Sequence, residues 1–167
     1  MWNEIKKHFE DSPSKLKVAK LFVEMGIRID ERCRIYIGEI ELSATKIAEA
    51  TNVDRRIVRE TAQGILESPE LRRLFLNLQP AGPLLKGVSK YLGYGVVEIR
   101  AEPKAVGVIA QATNLIAGKG ISIRQILAED AEIYPDPKLI IITEKPLPGE
   151  LLPLLLKIPS VTQVTIS

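Results

Sequence analysis

Val96-Val97-Glu98-Ile99-Arg100-Ala101-Glu102-Pro103-Lys104-Ala105-Val106-Gly107-Val108-Ile109-Ala110-Gln111-Ala112 decides how the second half of this chain folds. Apolar and polar residues alternate from Val97 to Glu102, the two-residue period of a half-buried strand. Pro103 ends the alternation. Val108, Ile109, Ala112, Leu115 and Ile116 then recur at three- and four-residue spacing, which predicts an amphipathic helix over 105–117. Gly118-Lys119-Gly120 closes it as a C-terminal cap would.

The pattern repeats to the end of the chain. Ile121 to Leu127 reads as a second strand, and Ala131 to Pro137 as a turn with two prolines. Leu139 to Thr143 reads as a strongly apolar third strand. Pro146 to Gly149 opens a leucine-rich helix over 150–157, in which Pro153 is tolerated only in the first turn. Val161 to Ile166 alternates as a last strand. The predicted order is βαββαβ in about 70 residues, a split-βαβ, ferredoxin-like arrangement with both helices on one face of an antiparallel sheet. The other face is expected to be bare, with dimerisation as its remedy.

These residues also carry a family resemblance. Val106-Gly107 follows the first strand, a helix of matching length comes next, and Gly120-Ile121-Ser122-Ile123 opens the second strand. The half from 96 to 167 resembles an ACT domain. The resemblance implies a small-molecule effector, an amino acid or related metabolite, held at the strand-to-helix turn where two domains pair. It carries over as candidate contacts Glu102, Lys104, Ala105, Val106, Gly107, Ser122 and Gln125. Val106 stands where the family has a turn proline. Lys104 stands where Asp or Asn is common, which favours an acidic ligand or a carboxylate. A ligand-free dimerisation module is the alternative.

In the first half, Leu16, Ala19, Phe22 and Val23 mark a helix from Ser14 to Met25. Ser12 is its expected cap, Pro13 its first residue and Gly26 its stop. Residues 27–42 predict one or two short strands. Ser43-Ala44-Thr45-Lys46-Ile47-Ala48-Glu49-Ala50-Thr51-Asn52-Val53-Asp54-Arg55-Arg56-Ile57-Val58-Arg59-Glu60-Thr61 then resembles a helix-turn-helix. Ala48 is small where two helices must approach. Asn52 tolerates a left-handed turn, and Asp54 can cap the second helix. Ile57, Val58, Thr61 and Ile65 would face inward. Arg55, Arg56 and Arg59 would then face outward at the end that meets a major groove, with Ser43, Thr45 and Lys46 as further candidate DNA contacts. The alternative is a solvated face balanced by Asp54 and Glu60. A helix is also predicted over 69–76.

The expected fold is α+β. A mostly helical, winged-helix-like helix-turn-helix domain spans 1–78. A linker with a short helix, Leu84 to Leu92, spans 79–95, and the ferredoxin-like ACT-type domain spans 96–167. Nearly half of the 167 residues are apolar and a quarter charged, an ordinary globular composition. The net charge of +2 gives no global nucleic-acid signature; the small basic excess lies in residues 1–95. No apolar run suits a bilayer and the N-terminus is not a secretory peptide, so a cytoplasmic protein without membrane partners is expected. One cysteine, Cys33, and one histidine, His8, make neither a disulfide nor a usual zinc site. No phosphate-binding glycine loop is present. Glu129, Asp130, Glu132 and Asp136 read as solvated turn carboxylates. No catalytic residue, metal or cofactor is expected.

The whole arrangement resembles the archaeal ACT-containing regulators of amino-acid metabolism. It implies a homodimer or larger assembly that binds DNA in response to an amino acid. The same family has been predicted to regulate homoserine dehydrogenase. An allosteric subunit docked on such a biosynthetic enzyme is therefore the other reading.

Overall fold

A computed structural model describes residues 2–167 and divides them into two compact units, one ending at Gly82 and the other starting at Pro83. The division falls inside the stretch expected to be a linker. Residues 83–95 belong to the second unit.

The first unit opens with α1 (Trp2–His8), for which no helix was expected. Trp2, Ile5 and Phe9 are each at most 5% exposed and form its inward stripe at helical spacing. Next is α2 (Pro13–Met25), with Pro13 as first residue. It stops at Gly26, whose backbone is left-handed at φ 64° and whose N–H donates to the Phe22 and Val23 carbonyls. A side chain at Gly26 would collide with the Gln79 and Pro80 backbone.

Residues 27–42 form three strands rather than one or two: β1 (Ile27–Ile29), β2 (Ile35–Ile37) and β3 (Ile40–Leu42), an antiparallel meander. The β1–β2 turn is tied by Asp30, whose carboxylate accepts from the Arg32 and Arg34 N–H groups and from Arg34 Nε. Then come α3 (Ala44–Thr51), α4 (Arg55–Glu67) and α5 (Pro69–Leu76). Phe22, Val18, Ala19, Val58, Ala62, Ile65 and Phe75 are fully buried and fasten α2, α4 and α5 together.

This corrects the winged-helix-like expectation. The three strands precede α3, and among the described residues no strand of this unit follows α4. Ser68 accepts the Leu71 N–H, Pro69 starts the next helix, and Leu71 and Phe75 bury one face of it. That combination of cap, N-terminal proline and four-residue apolar spacing sets helix where a wing would begin.

The second unit runs β4 (Gly95–Ala101), α7 (Val108–Ala117), β5 (Ile123–Ala128), β6 (Leu139–Thr143), α8 (Leu151–Leu156) and β7 (Val161–Ile166). Its antiparallel sheet has the order β5-β6-β4-β7. On one face, Val97, Ile99, Leu139 and Ile141 pack with Val108, Ala112, Ile116, Leu151 and Leu155. Pro153 is the third residue of α8, where its missing N–H has no intrahelical role. Helix α7 starts three residues later than expected because Lys104 (φ 67°) and Gly107 (φ 85°) hold left-handed turns before it.

The other face is not bare. A 3₁₀ turn over Leu85–Val88 continues into α6 (Ser89–Leu92), and this arm lies against the sheet. Leu85 and Tyr94 pack with Val96, Ile140, Ile142 and Leu127. Lys86 pairs with Glu98 at 2.8 Å, and the Arg124 guanidinium lies over the Tyr94 ring, 5.6 Å from its centroid. Gln125 fixes the arm from both ends of its amide. It accepts from the Leu85 N–H at 2.9 Å and donates to the Pro83 carbonyl at 2.8 Å.

Gln125→Leu should therefore release the arm. The part-buried Leu85 N–H then lacks a partner, at a cost of about 1–3 kcal/mol. Hydrogen exchange should accelerate at residues 84–92 while the amides of β6 stay protected; unchanged exchange across the arm would show that the packing alone holds it.

Candidate functional site

Two places in the chain bring chemistry-bearing residues together. The first is the α3–α4 pair. Ser43 caps α3, its Oγ accepting from the Lys46 N–H at 3.3 Å, so this hydroxyl is turned toward its own helix. Ile47, Ala48 and Thr51 are buried. Asn52 ends α3 at φ 50°, ψ 52°, and its N–H donates to the Ala48 and Glu49 carbonyls. The Val53 N–H also reaches Ala48, at 3.1 Å. Asp54 is extended, and its Oδ1 accepts from the Arg56 N–H at 2.7 Å, capping α4. Val58, Thr61, Ala62 and Ile65 are then fully buried on one face of α4. The helix phase leaves Arg55, Arg56 and Arg59 exposed.

These arginines are not equivalent. The Arg56 Nε lies 3.0 Å from Glu60 Oε1, and Glu60 Oε2 lies 3.1 Å from Lys15 Nζ of α2. Arg55 and Arg59 enter no ion pair among the described residues. On α3, Thr45 is exposed, and Lys46 is exposed but paired with Glu49 at 2.9 Å. Lys15 was not singled out in the sequence. Its contact spans 45 positions of chain, and no local pattern signals it.

The second place is the turn from β4 into α7. The Ala105 N–H donates to the Glu102 carbonyl at 3.1 Å, with Pro103 second and left-handed Lys104 third in the turn. That is the type II pattern, which ordinarily asks for glycine at the third position. A hollow of about 140 Å³ beside it is lined by Glu102, Lys104, Ala105, Val108, Glu129 and Lys138, among others. Val106 is 94% exposed, and Gly107 precedes α7 without a side-chain cap.

Ser122 and Gln125 lie elsewhere. Ile123 pairs with Thr143 and Ala128 with Leu139, so β5 starts at the end of the sheet opposite the turn. The two ends are roughly 16 Å apart at the rise of a strand. The Ser122 N–H donates to Glu144 at 3.2 Å. Gln125, one of the residues carried over as a ligand contact, spends its amide on the arm, on the sheet face away from α7.

Other reactive groups have local partners. The Asp136 carboxylate binds Arg100 at 2.8 Å, Glu129 accepts from the Lys138 N–H, and Asp130 accepts from the Glu132 N–H. His8 packs edge-on against Phe9. Burial, then the Asp30 charge, pushes the Cys33 thiol up, away from a reactive thiolate. No helix among the described residues is long and apolar enough to cross a membrane.

No protein-family profile matches the chain, and no characterised protein matches it in sequence. Among solved structures it is similar to the crystal structure of PH0061, over 93% of this chain and 89% of that one, at 12% identity and a TM-score of 0.27.

The α3–α4 turn makes a sharp prediction. Asn52→Val places a β-branched residue in the left-handed region and should destabilise the first unit by about 1–2 kcal/mol. Asn52→Gly should match or exceed the parent stability. Denaturant titrations of both variants check this; equal stability of the two would mean that the turn relaxes out of its left-handed form.

Proposed function

We propose that the protein is a metabolite-responsive DNA-binding regulator, acting through binding and not through catalysis. One observation carries the reading. A left-handed Asn52 turn and an Asp54 cap join two short helices, and the second presents Arg55, Arg56 and Arg59 to solvent at its N-terminal end. A helix N-terminus carrying cations suits the phosphates and base edges of a major groove. The remaining site residues take subsidiary roles. Thr45 and Lys46 stand exposed on the first turn of α3 and would meet the backbone.

The effector reading rests on the β4–α7 turn together with the ACT-like sequence pattern. Lys104 keeps a left-handed conformation that costs a non-glycine residue about 1–2 kcal/mol. A lysine in that strained position beside the hollow supports a role for its ammonium, and an acidic amino acid or related carboxylate is the class it suits. Glu102 could meet the ligand's amino group. Ser122 would contribute from a second copy, since its own strand places it far from the turn. In a homodimer, effector binding that favours one pairing geometry would change the separation of the two α4 helices. A palindromic operator follows from that symmetry.

A second reading, a regulatory subunit docked on an enzyme of amino-acid biosynthesis, is favoured by the arm. Leu84, Val88, Tyr91 and Leu92 are exposed along the arm, Tyr91 to 87%. Exposed apolar stripes of this kind mark protein contacts.

With each of the three arginines of both protomers neutralising one phosphate, six in the homodimer, duplex binding should weaken roughly 2,000-fold between 50 and 200 mM salt. Arg55→Ala, Arg56→Ala and Arg59→Ala together should abolish it. Retained affinity in the triple variant would exclude α4 as the DNA-reading helix. For the effector, a thermal-shift screen of amino acids and their precursors should find a ligand that stabilises the fold by about 2.7 kcal/mol at 100 times its Kd. Lys104→Gly should raise the basal melting temperature by relaxing the turn while removing that response, and Gly107→Asp should also remove it. A Lys104→Gly protein that keeps the full ligand shift would place the effector elsewhere.

A further inference from the structure

The groove between α2 and α4 holds an arrangement that neither helix explains by itself. The Glu60 carboxylate spans two cations from different helices, Lys15 Nζ at 3.1 Å on one oxygen and Arg56 Nε at 3.0 Å on the other. Lys15 first and Arg56 second hold the Glu60 carboxyl below the ordinary carboxylate range. Arg59, Gln63 and Glu67 line the same groove of about 370 Å³, and the Gln63 amide donates to the Glu67 carboxylate at 3.3 Å.

Two facts separate this bridge from a structural staple. Val18, Ala19, Val58 and Ala62 are fully buried where α2 packs on α4, so the helices are already fastened by their core. The bridge is open to water at one end: the Arg56 side chain is 84% exposed, while Lys15 and Glu60 are half-buried at 29% and 38%. The exposed Arg56–Glu60 pair adds little to stability, and an external anion can reach the bridge from that side. A singly charged acceptor with two oxygens, clamped between a lysine ammonium and an arginine guanidinium, is also the contact pattern of a nucleic-acid phosphate.

We infer that Glu60 occupies the seat of a DNA backbone phosphate, which makes Lys15 a further phosphate contact and Glu60 an internal anion that the duplex displaces. The inference rests on the DNA-binding reading above and extends its surface from α4 to the first turn of α2. In the free protein Glu60 satisfies both cations. On binding, a phosphate takes its place and the carboxylate turns to solvent, close to the DNA and repelled by it. Glu60 therefore lowers affinity for every duplex by a similar factor. Arg55 and Arg59, which no carboxylate among the described residues holds, meet DNA without this competition.

The test uses the full chain and a random-sequence duplex, with binding followed by fluorescence anisotropy from 50 to 200 mM salt. Lys15→Met should weaken binding to this duplex and reduce the salt slope by about 1 per bound protomer. Glu60→Gln should tighten binding at 50 mM salt about fivefold, with the gain shrinking as salt screens it. Lys15→Gln serves as a second variant at that position, and melting curves read alongside establish that each variant is folded. If the triple arginine variant loses binding while Lys15→Met, Lys15→Gln and Glu60→Gln match the parent, the bridge is an ordinary surface pair and this inference falls, with the DNA-binding reading intact. Absence of duplex binding by the parent protein overturns both.

Discussion

Strand β6 has no side that water can reach. All five residues from Leu139 to Thr143 are buried, and the strand pairs on both edges, with β5 and β4. Its side chains alternate between the two faces of the sheet. Leu139 and Ile141 meet α7 and α8, whereas Ile140 and Ile142 need a cover on the opposite face. A four-stranded sheet with two helices supplies only one cover. The arm at 83–94 supplies the other, and this explains why the compact second unit begins at Pro83 rather than at the first strand. Gln125 on the neighbouring strand turns that hydrophobic contact into a fixed register, because both ends of its amide are committed to the arm backbone.

The first unit depends on a comparable constraint at a different scale. Helix α4 can bury Val58, Thr61, Ala62 and Ile65 only if the chain reverses sharply after Thr51. Asn52 makes that reversal with a left-handed backbone, and Asp54 starts the next helix two residues later. The rotational phase of α4 is thereby set, and Arg55, Arg56 and Arg59 are on its outer side as a consequence of what is buried. Their exposure follows from packing, and their chemistry is what remains available to a partner.

The charged groups around α4 lie in a high-dielectric environment, where pairing is weak and exchange with outside anions costs little. This distinguishes the Lys15–Glu60–Arg56 bridge from the Asp30 turn. Although burial pushes the Asp30 carboxyl up, hydrogen bonds from the Arg34 backbone and side chain and from the Arg32 backbone hold it below its usual range. Those donors lie within four residues of Asp30 and build the β1–β2 turn. Lys15 and Arg56 come from separate helices and could both be satisfied by an anion from outside.

Much of the fold is legible in the sequence because it is written in local patterns. Two-residue alternation marks β4 and β7, an unbroken apolar run marks β6, and Pro13, Gly26 and Pro69 set helix ends. Asn52 and Asp54 announce a turn and a cap by residue type alone. Other features depend on distant pairings that no local window contains. The helix over 69–76 is legible as well, in Pro69 and in the apolar spacing of Leu71 and Phe75. Helix α1 was likewise readable from Trp2, Ile5 and Phe9. By contrast, tertiary structure alone decided that residues 83–94 cover a sheet, that Gln125 is committed to them, that Ser122 and the Lys104 turn stand at opposite ends of the sheet, and that Lys15 shares a carboxylate with Arg56. Each of these depends on strand or helix pairings between distant parts of the chain, and burial of both sheet faces and of the α2–α4 seam, not local propensity, selects them.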